Sequence, residues 1–254
     1  MKTLIRAGAL ALALAAPQAF RQADAQTGAP PLDPALERQL ERWLGAGDLI
    51  LSSLYTRQPG DDSVDFHAAV DGRGPSVTLL RVSDRGGNAW LVGGYNPQSW
   101  SPDAGWHITE RDFRRTAFIF NYTDGAVYRQ VPGSFQLPGQ GAYQTFNALA
   151  QGPTFGAGPD LLVNDRLDTA LSWRLSYGDP AGEGQSIIDG SRGGQLFAID
   201  ALELYAVSPI PEPGMAALLA GGLGSLGGLH LAVLARRREK RAAPRTGRSA
   251  PDPA

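Results

Sequence analysis

The sequence predicts an all-β to α+β domain between residues 34 and 207, a two-sheet antiparallel β-sandwich flanked by short helices, with a separate apolar helix behind it. Three observations predict it. Short runs rich in β-branched, aromatic and Leu residues recur along the chain, clusters of Gly, Pro, Asn, Asp and Ser separate them, and helical patterns are confined to two short stretches and the far C-terminus.

The first element is a helix. Asp33 is a good N-cap, Pro34 suits the first helical position, Leu36, Leu40, Trp43 and Leu44 fall on one face, and Gly45 is a stop. Strands are expected at Leu49–Tyr55, Val77–Val82, Trp90–Val92, Ala117–Tyr122, Tyr143–Asn147, Leu161–Val163, Leu171–Tyr177 and Phe197–Val207. Turn clusters such as Asp84-Arg85-Gly86-Gly87-Asn88 and Gly178-Asp179-Pro180 lie between them. A short helix around Ser63 to Val70 interrupts the series. The Gly-rich stretch Gly178–Gly194 reads as a mobile loop.

Both ends of the chain read as addresses. Lys2 and Arg6, the apolar run Ala7–Ala16, Pro17 and the sequence Ala23-Asp24-Ala25 make residues 1–25 a secretory signal peptide, cut between Ala25 and Gln26. Residues 26–33 form a linker. At the other end, Pro211-Glu212-Pro213 precedes 21 residues, 215–235, without Asp, Glu, Lys or Arg, and then the basic cluster 236–241 with Arg236, Arg237 and Arg238. As a helix that stretch spans about 31 Å at roughly 1.5 Å per residue, one bilayer core, and the basic cluster keeps its far end cytoplasmic. Residues 242–254 read as a disordered tail. Pro-Glu-Pro, apolar helix and Arg cluster together resemble the PEP-CTERM sorting signal of Gram-negative bacteria, here spanning 208–241. That resemblance implies a transient inner-membrane anchor, cutting by an exosortase, and an association with exopolysaccharide production. Sec export and signal peptidase are implied by the N-terminal segment.

Between the two addresses, from Gln26 to Pro213, 13 Arg and no Lys stand against 22 Asp plus Glu, a net charge of −9 compared with −2 for the whole sequence. Such a surface repels phosphate backbones, so nucleic acid is not an expected partner. The chain has no Cys, which excludes thiol catalysis, thiolate metal sites and disulfides.

The order of pieces in the body carries a second resemblance. Trp43-Leu44, Leu54-Tyr55, Phe66-His67, Gly72–Leu79, Gly93-Gly94-Tyr95 with Trp100, Ala117–Phe120, Gly152-Pro153-Thr154-Phe155-Gly156 with Asp160-Leu161, and the closing Ile199–Leu204 look like a TLDc domain over about residues 35 to 207. The resemblance implies a β-sandwich flanked by helices. The family is known from oxidation-resistance proteins and from proteins that bind the V-ATPase, but those roles do not carry over residue by residue.

Candidates for chemistry are few. His67 and His107 are widely spaced, no metal-binding His motif is present, and no Gly-x-Ser-x-Gly elbow exists, so neither a metal nor another cofactor is expected. Strict alternation along the last strand places Glu203 on one face with Phe197, Ile199, Tyr205 and Val207, where a carboxylate needs a partner such as Arg81 or Arg174. With Asp160 it could instead serve as general acid or base on a glycan or peptide. Asp61, Asp62 and Asp65 read as a turn and helix cap, with a loosely bound Ca²⁺ as the alternative, although their order is not that of a known loop. Trp90, Tyr95, Trp100 and Trp106 lie close together in sequence and could form a stacking platform for sugars, although packing is the ordinary role of such residues. The function expected is that of a non-enzymatic interaction or structural component of the cell surface or extracellular polymer matrix, with an extracellular polysaccharide or an envelope protein as partner. The alternatives are a glycan-binding module using the aromatic set and a carboxylate-dependent hydrolase using Glu203. A cleft with an exposed Glu203 would favour the hydrolase, and a flat exposed row of Trp the lectin.

Overall fold

The computed structural model describes residues 32–133 and 139–209, so the expectations for the signal peptide, its Ala25/Gln26 cleavage site, Pro211–Pro213, the 215–235 span, Arg236–Arg238 and the tail lie outside the described residues. Within them the chain is mostly antiparallel β-sheet with two short α-helices. None of the described helices is long and apolar enough to cross a membrane.

Helix α1 (Pro34–Leu44) starts where its cap predicts, with the Asp33 carboxylate accepting the N–H groups of Ala35 and Leu36, both at 2.8 Å. It ends at Gly45, whose φ of +64° is the left-handed turn that glycine enters without a Cβ penalty. Helix α2 (Ser63–Val70) opens on a capping box made by Asp62 and Asp65. Asp61 accepts the Tyr55 hydroxyl at 2.8 Å and the Gln58 N–H at 2.9 Å. The three carboxylates are thus held in turn and cap bonds.

The strands are β1 (Leu49–Thr56), β2 (Ser76–Ser83), β3 (Ala89–Asn96), β4 (Gly105–Ile108), β5 (Phe118–Asn121), β6 (Ala126–Arg129), β7 (Tyr143–Asn147), β8 (Thr154–Phe155), β9 (Leu161–Val163), β10 (Thr169–Leu171) and β11 (Leu196–Pro209). They hydrogen-bond in the order β4-β7-β8-β9-β10-β11-β2-β3-β5-β6, and β1 pairs with the C-terminal half of β11. Strands β4, β6 and β8 were not expected, and β10 stands where Leu171–Tyr177 was expected, of which only Leu171 lies in a strand. Each has two to four residues, too short a run to show a period.

Alternation along β2 divides the interior. Val77 and Leu79 point to the face covered by α1, where they meet Leu36, Leu40, Trp43, Phe118 and Phe120. Leu80 and Val82 point to the other face and a larger cluster holding Phe66, Trp100, Phe155, Tyr177 and Phe197. Across that cluster the sheet meets itself: a Cβ on Gly94 of β3 would come within 2.7 Å of the Phe155 ring on β8, a strand far from β3 in the hydrogen-bonded order. Gly94 gives this close approach its room.

Two expectations are corrected. Ile199 pairs with Val82 and Ala201 with Arg81, so Asp200 is an extra residue, a β-bulge in β11. The bulge reverses the faces: Phe197 and Ile199 join Leu202 and Leu204 in the larger cluster, whereas Glu203 lies opposite Leu79 with Tyr205 and Val207 on the α1 side. The stretch Gly178–Gly194 is packed. Ile187 and Ile188 are buried in the larger cluster, their carbonyls accept the Asn121 amide at 2.9 Å each, and the Ile187 N–H donates to the Ser172 hydroxyl at 2.8 Å. Gly178 and Gly182 serve close approach to Arg174: a Cβ on Gly182 would sit 1.6 Å from a guanidinium nitrogen.

Candidate interaction face

The four aromatic residues singled out from the sequence do not form one platform. Trp100 is 2% exposed, sits in the larger cluster edge-on to Phe66 and Phe155, and donates its indole N–H to the Ser76 hydroxyl at 3.0 Å. Trp90 packs against the same cluster with its ring 5.7 Å from Phe197. Tyr95 lies on the opposite face of the sheet, 5.5 Å from Phe118. Burial of its ring raises the Tyr95 phenol. Trp90 and Tyr95 are half-buried, and of the four Trp106 is the exposed one, at 39%.

Trp106 belongs to a small face that the fold assembles from β4 and β7. It pairs with Phe146, and Ile108 pairs with Tyr143. His107 pairs with Thr145, which leaves Gln144 as the extra residue of a bulge. The bulge has a visible cause. Gln144 turns inward, where its amide donates to Asn96 at 3.0 Å and its carbonyl accepts the Thr109 hydroxyl at 3.0 Å, a buried network. With Gln144 inward, Tyr143 and Phe146 come to the same outer side as Trp106. The Trp106 ring lies 5.4 Å from Tyr143, nearly perpendicular to it at 83°, and 4.8 Å from Phe146 at 57°. Ile108 stands beside them, 42% exposed. Burial lowers the His107 pKa, so this residue is neutral at physiological pH and leaves its strand uncharged. The rings interlock at steep angles, and together they make an apolar knob rather than a flat row.

The carboxylate candidates lie elsewhere. Glu203 is 6% exposed, and its carboxylate accepts the Tyr205 hydroxyl. Burial first, then that bond and the Glu203 charge, raise the Tyr205 phenol above its usual range. Arg174 is not its partner, since it bonds Gln185 at 2.8 Å and lies over the Tyr128 ring. Among the described residues the ion pairs are His67–Asp71 at 2.8 Å and Arg115–Asp112 at 2.9 Å. Asp160 is fully buried. One oxygen accepts the N–H groups of Leu175, Ser176 and Tyr177 at 2.8 Å each, and the other accepts from Gly158 at 3.3 Å. Burial raises its carboxyl to about 6 against the pull of those donors. A side chain so enclosed holds two loops together and is out of reach of a substrate.

His67 is buried and spends both ring nitrogens on structure. Nδ1 lies 2.8 Å from Asp71, and Nε2 lies 2.9 Å from the Ala148 carbonyl, tying α2 to the turn after β7. No group of His, Asp and Glu able to hold a metal ion occurs among the described residues. Two depressions stand out: one of about 390 Å³ beside Val64, Leu149 and Asp165, and one of about 290 Å³ beside Glu41 and Arg42. Neither is lined by Glu203, Asp160 or the aromatic face.

Sequence reasoning missed Ile108, Tyr143 and Phe146. The signal was available in part, because Trp106-x-Ile108 alternates outward as an edge strand would, but the bulge at Gln144 hides the matching phase on β7. In comparisons with known proteins, no family model matches the chain and no curated protein matches it.

Proposed function

We propose that the chain is an exported, TLDc-like β-sandwich that acts by binding rather than by catalysis, as an interaction or structural component of the cell surface or extracellular polymer matrix. The observation that carries this reading is the knob in which exposed Trp106 and Ile108 stand against half-buried Tyr143 and Phe146, in a domain whose other predicted aromatics are spent on packing. Exposed apolar clusters of this kind mark contact surfaces. The placement of Glu203 and Asp160 supports binding over hydrolysis, since each carboxylate is enclosed and bonded to its own fold. The crossed rings favour a protein-like or mixed apolar surface, such as an envelope protein, over stacking on a flat run of sugar faces. The apolar span 215–235 with Arg236–Arg238 supports a transient anchor, and Pro211-Glu212-Pro213 supports its removal by an exosortase.

The test uses the released protein from producing cells, co-sedimented with the cell-surface and polymer fractions. Trp106→Ala together with Phe146→Ala should weaken association roughly 30-fold, about 2 kcal/mol, as truncation of a central aromatic contact does. Unchanged association with the fold intact would move the contact surface elsewhere. Polymer shortening that vanishes in Glu203→Gln would establish a hydrolase instead.

A further inference from the structure

Strand β1 is the longest strand with an open side. Its inner side pairs with β11 from Leu49↔Pro209 to Thr56↔Glu203, and β11 is its only ladder partner among the described residues. Its sequence, Leu49-Ile50-Leu51-Ser52-Ser53-Leu54-Tyr55-Thr56, contains no charge and no proline. Exposed edges are ordinarily blunted by Lys, Pro or inward charges, because the free N–H and C=O groups template another strand. The blunting features sit at its two ends, where the Glu41 carboxylate accepts the Leu49 N–H at 3.2 Å and a bulge falls at Leu54, so the stretch from Ile50 to Ser53 is left open. Ile50 is 48% exposed, and Ser52 and Ser53 are exposed in the middle.

We infer that this edge pairs antiparallel with β1 of a second copy of the chain, about a two-fold axis near Ser52. Charge at the two ends of the strand selects this arrangement. Asp48 precedes the strand and Arg57 follows it. Antiparallel pairing centred on Ser52, with Leu54 of each copy as the extra residue, sets Asp48 opposite Arg57 of the second copy, whose guanidinium also donates to the Ile199 carbonyl of its own chain at 2.9 Å, and two-fold symmetry repeats the contact at the other end. Parallel pairing would bring Asp48 to Asp48 and Arg57 to Arg57. Within the pair, Ser52 meets Ser52 and Leu51 meets Ser53, so no like charges oppose each other.

The chain's own flanking segments are poor occupants of the edge. The residues after β11 are Ile210-Pro211-Glu212-Pro213, and those before Leu32 include Pro30 and Pro31. Proline has no N–H to give a ladder, and a sequence interrupted by proline is a poor partner for a regular edge. The inference is independent of the β4–β7 face, which lies at the end of the strand order, and either can fail without the other.

The chain has no Cys, which makes a single introduced thiol a clean reporter. Released Ser52→Cys protein treated with diamide, which oxidises two thiols to a disulfide, should give a covalent dimer. The control Arg85→Cys, in the exposed turn after β2, should give far less. Sedimentation equilibrium of the wild-type protein should show a two-chain species that dissociates on dilution. Ser52→Lys, which sets two ammonium groups against each other across the axis, should weaken it at least tenfold with an unchanged circular dichroism spectrum. The inference is overturned by a wild-type protein that remains a single chain at about 100 µM, by Ser52→Cys giving no more dimer than Arg85→Cys, or by its thiol joining a different protein.

Discussion

Asp160 brings a carboxylate into the interior and surrounds it with backbone N–H groups, and the two effects act on its proton in opposite directions. Burial is the larger, raising the carboxyl from 3.8 to about 6. A carboxyl whose folded pKa is raised binds its proton more tightly in the native state, so its contribution to stability is complete below about pH 4 and is lost as pH rises through 6. Over that interval a single site is worth about 3 kcal/mol at most. Asp61, Asp84 and Asp168, whose pKa values are lowered by hydrogen bonds, act only below their ordinary value of 3.8. His107, whose pKa burial lowers from 6.5, acts inside the window and in the opposite direction, since the unfolded chain protonates it first as pH falls. The contribution of Asp160 is therefore read as a difference: the denaturation midpoint of the wild-type protein should gain on that of Asp160→Asn as pH is lowered from 7 to 5. A difference that stays constant over that range would refute it. The sequence singled out Asp160 as a carboxylate of interest, but its enclosure depends on Leu175, Ser176 and Tyr177, which read as strand and instead wrap around it as irregular chain. No local pattern announces that three consecutive residues, 15 to 17 positions further on, return their N–H groups to one side chain.

At the scale of elements, helix α1 was legible to its last residue because its signals are local: Asp33 and Gly45 mark its ends, and the spacing of Leu36, Leu40 and Trp43 marks its buried face. Strands β2 and β11 were legible as strands, yet the facing of β11 was not, because one residue at Asp200 inverts every side chain after it. The same device on β7 brought Tyr143 to the surface unannounced. Bulges are set by the partner strand, and the partner is what sequence alone lacks. Phe155 shows the opposite case. It lies in a strand of two residues, but its place in the Gly152–Gly156 piece marked it as core, and it is fully buried against Gly94 and Trp100. Phe155→Ala leaves a cavity where two stretches of the sheet meet and should cost about 3 to 5 kcal/mol, read as a lower midpoint with unchanged denaturant dependence. A midpoint within error of wild type would mean that this contact does not join the two sides.

For the whole molecule, the division of charge is as informative as the fold. Ten of the 23 basic residues fall before Gln26 or after Pro213, leaving the intervening segment at −9. An acidic segment bounded by basic, apolar ends suits export through a membrane whose cytoplasmic side retains the cations, and it suits a released product that stays soluble. On the proposed reading the anchor serves only until it is cut beside Pro211-Glu212-Pro213, so the contacts of the mature domain form after release. Glu212→Ala with Pro213→Ala should then hold the full-length form in the inner membrane, while the folded domain, which ends its last strand at Pro209, keeps its wild-type melting behaviour. Intact-mass measurement of the secreted and membrane fractions decides the matter: wild-type released protein should end close to Pro213, and the double variant should retain residues 215–241. A released wild-type protein that still carries Met215–Arg241 would rule out cutting, and the same segment would then have to be read as a permanent anchor.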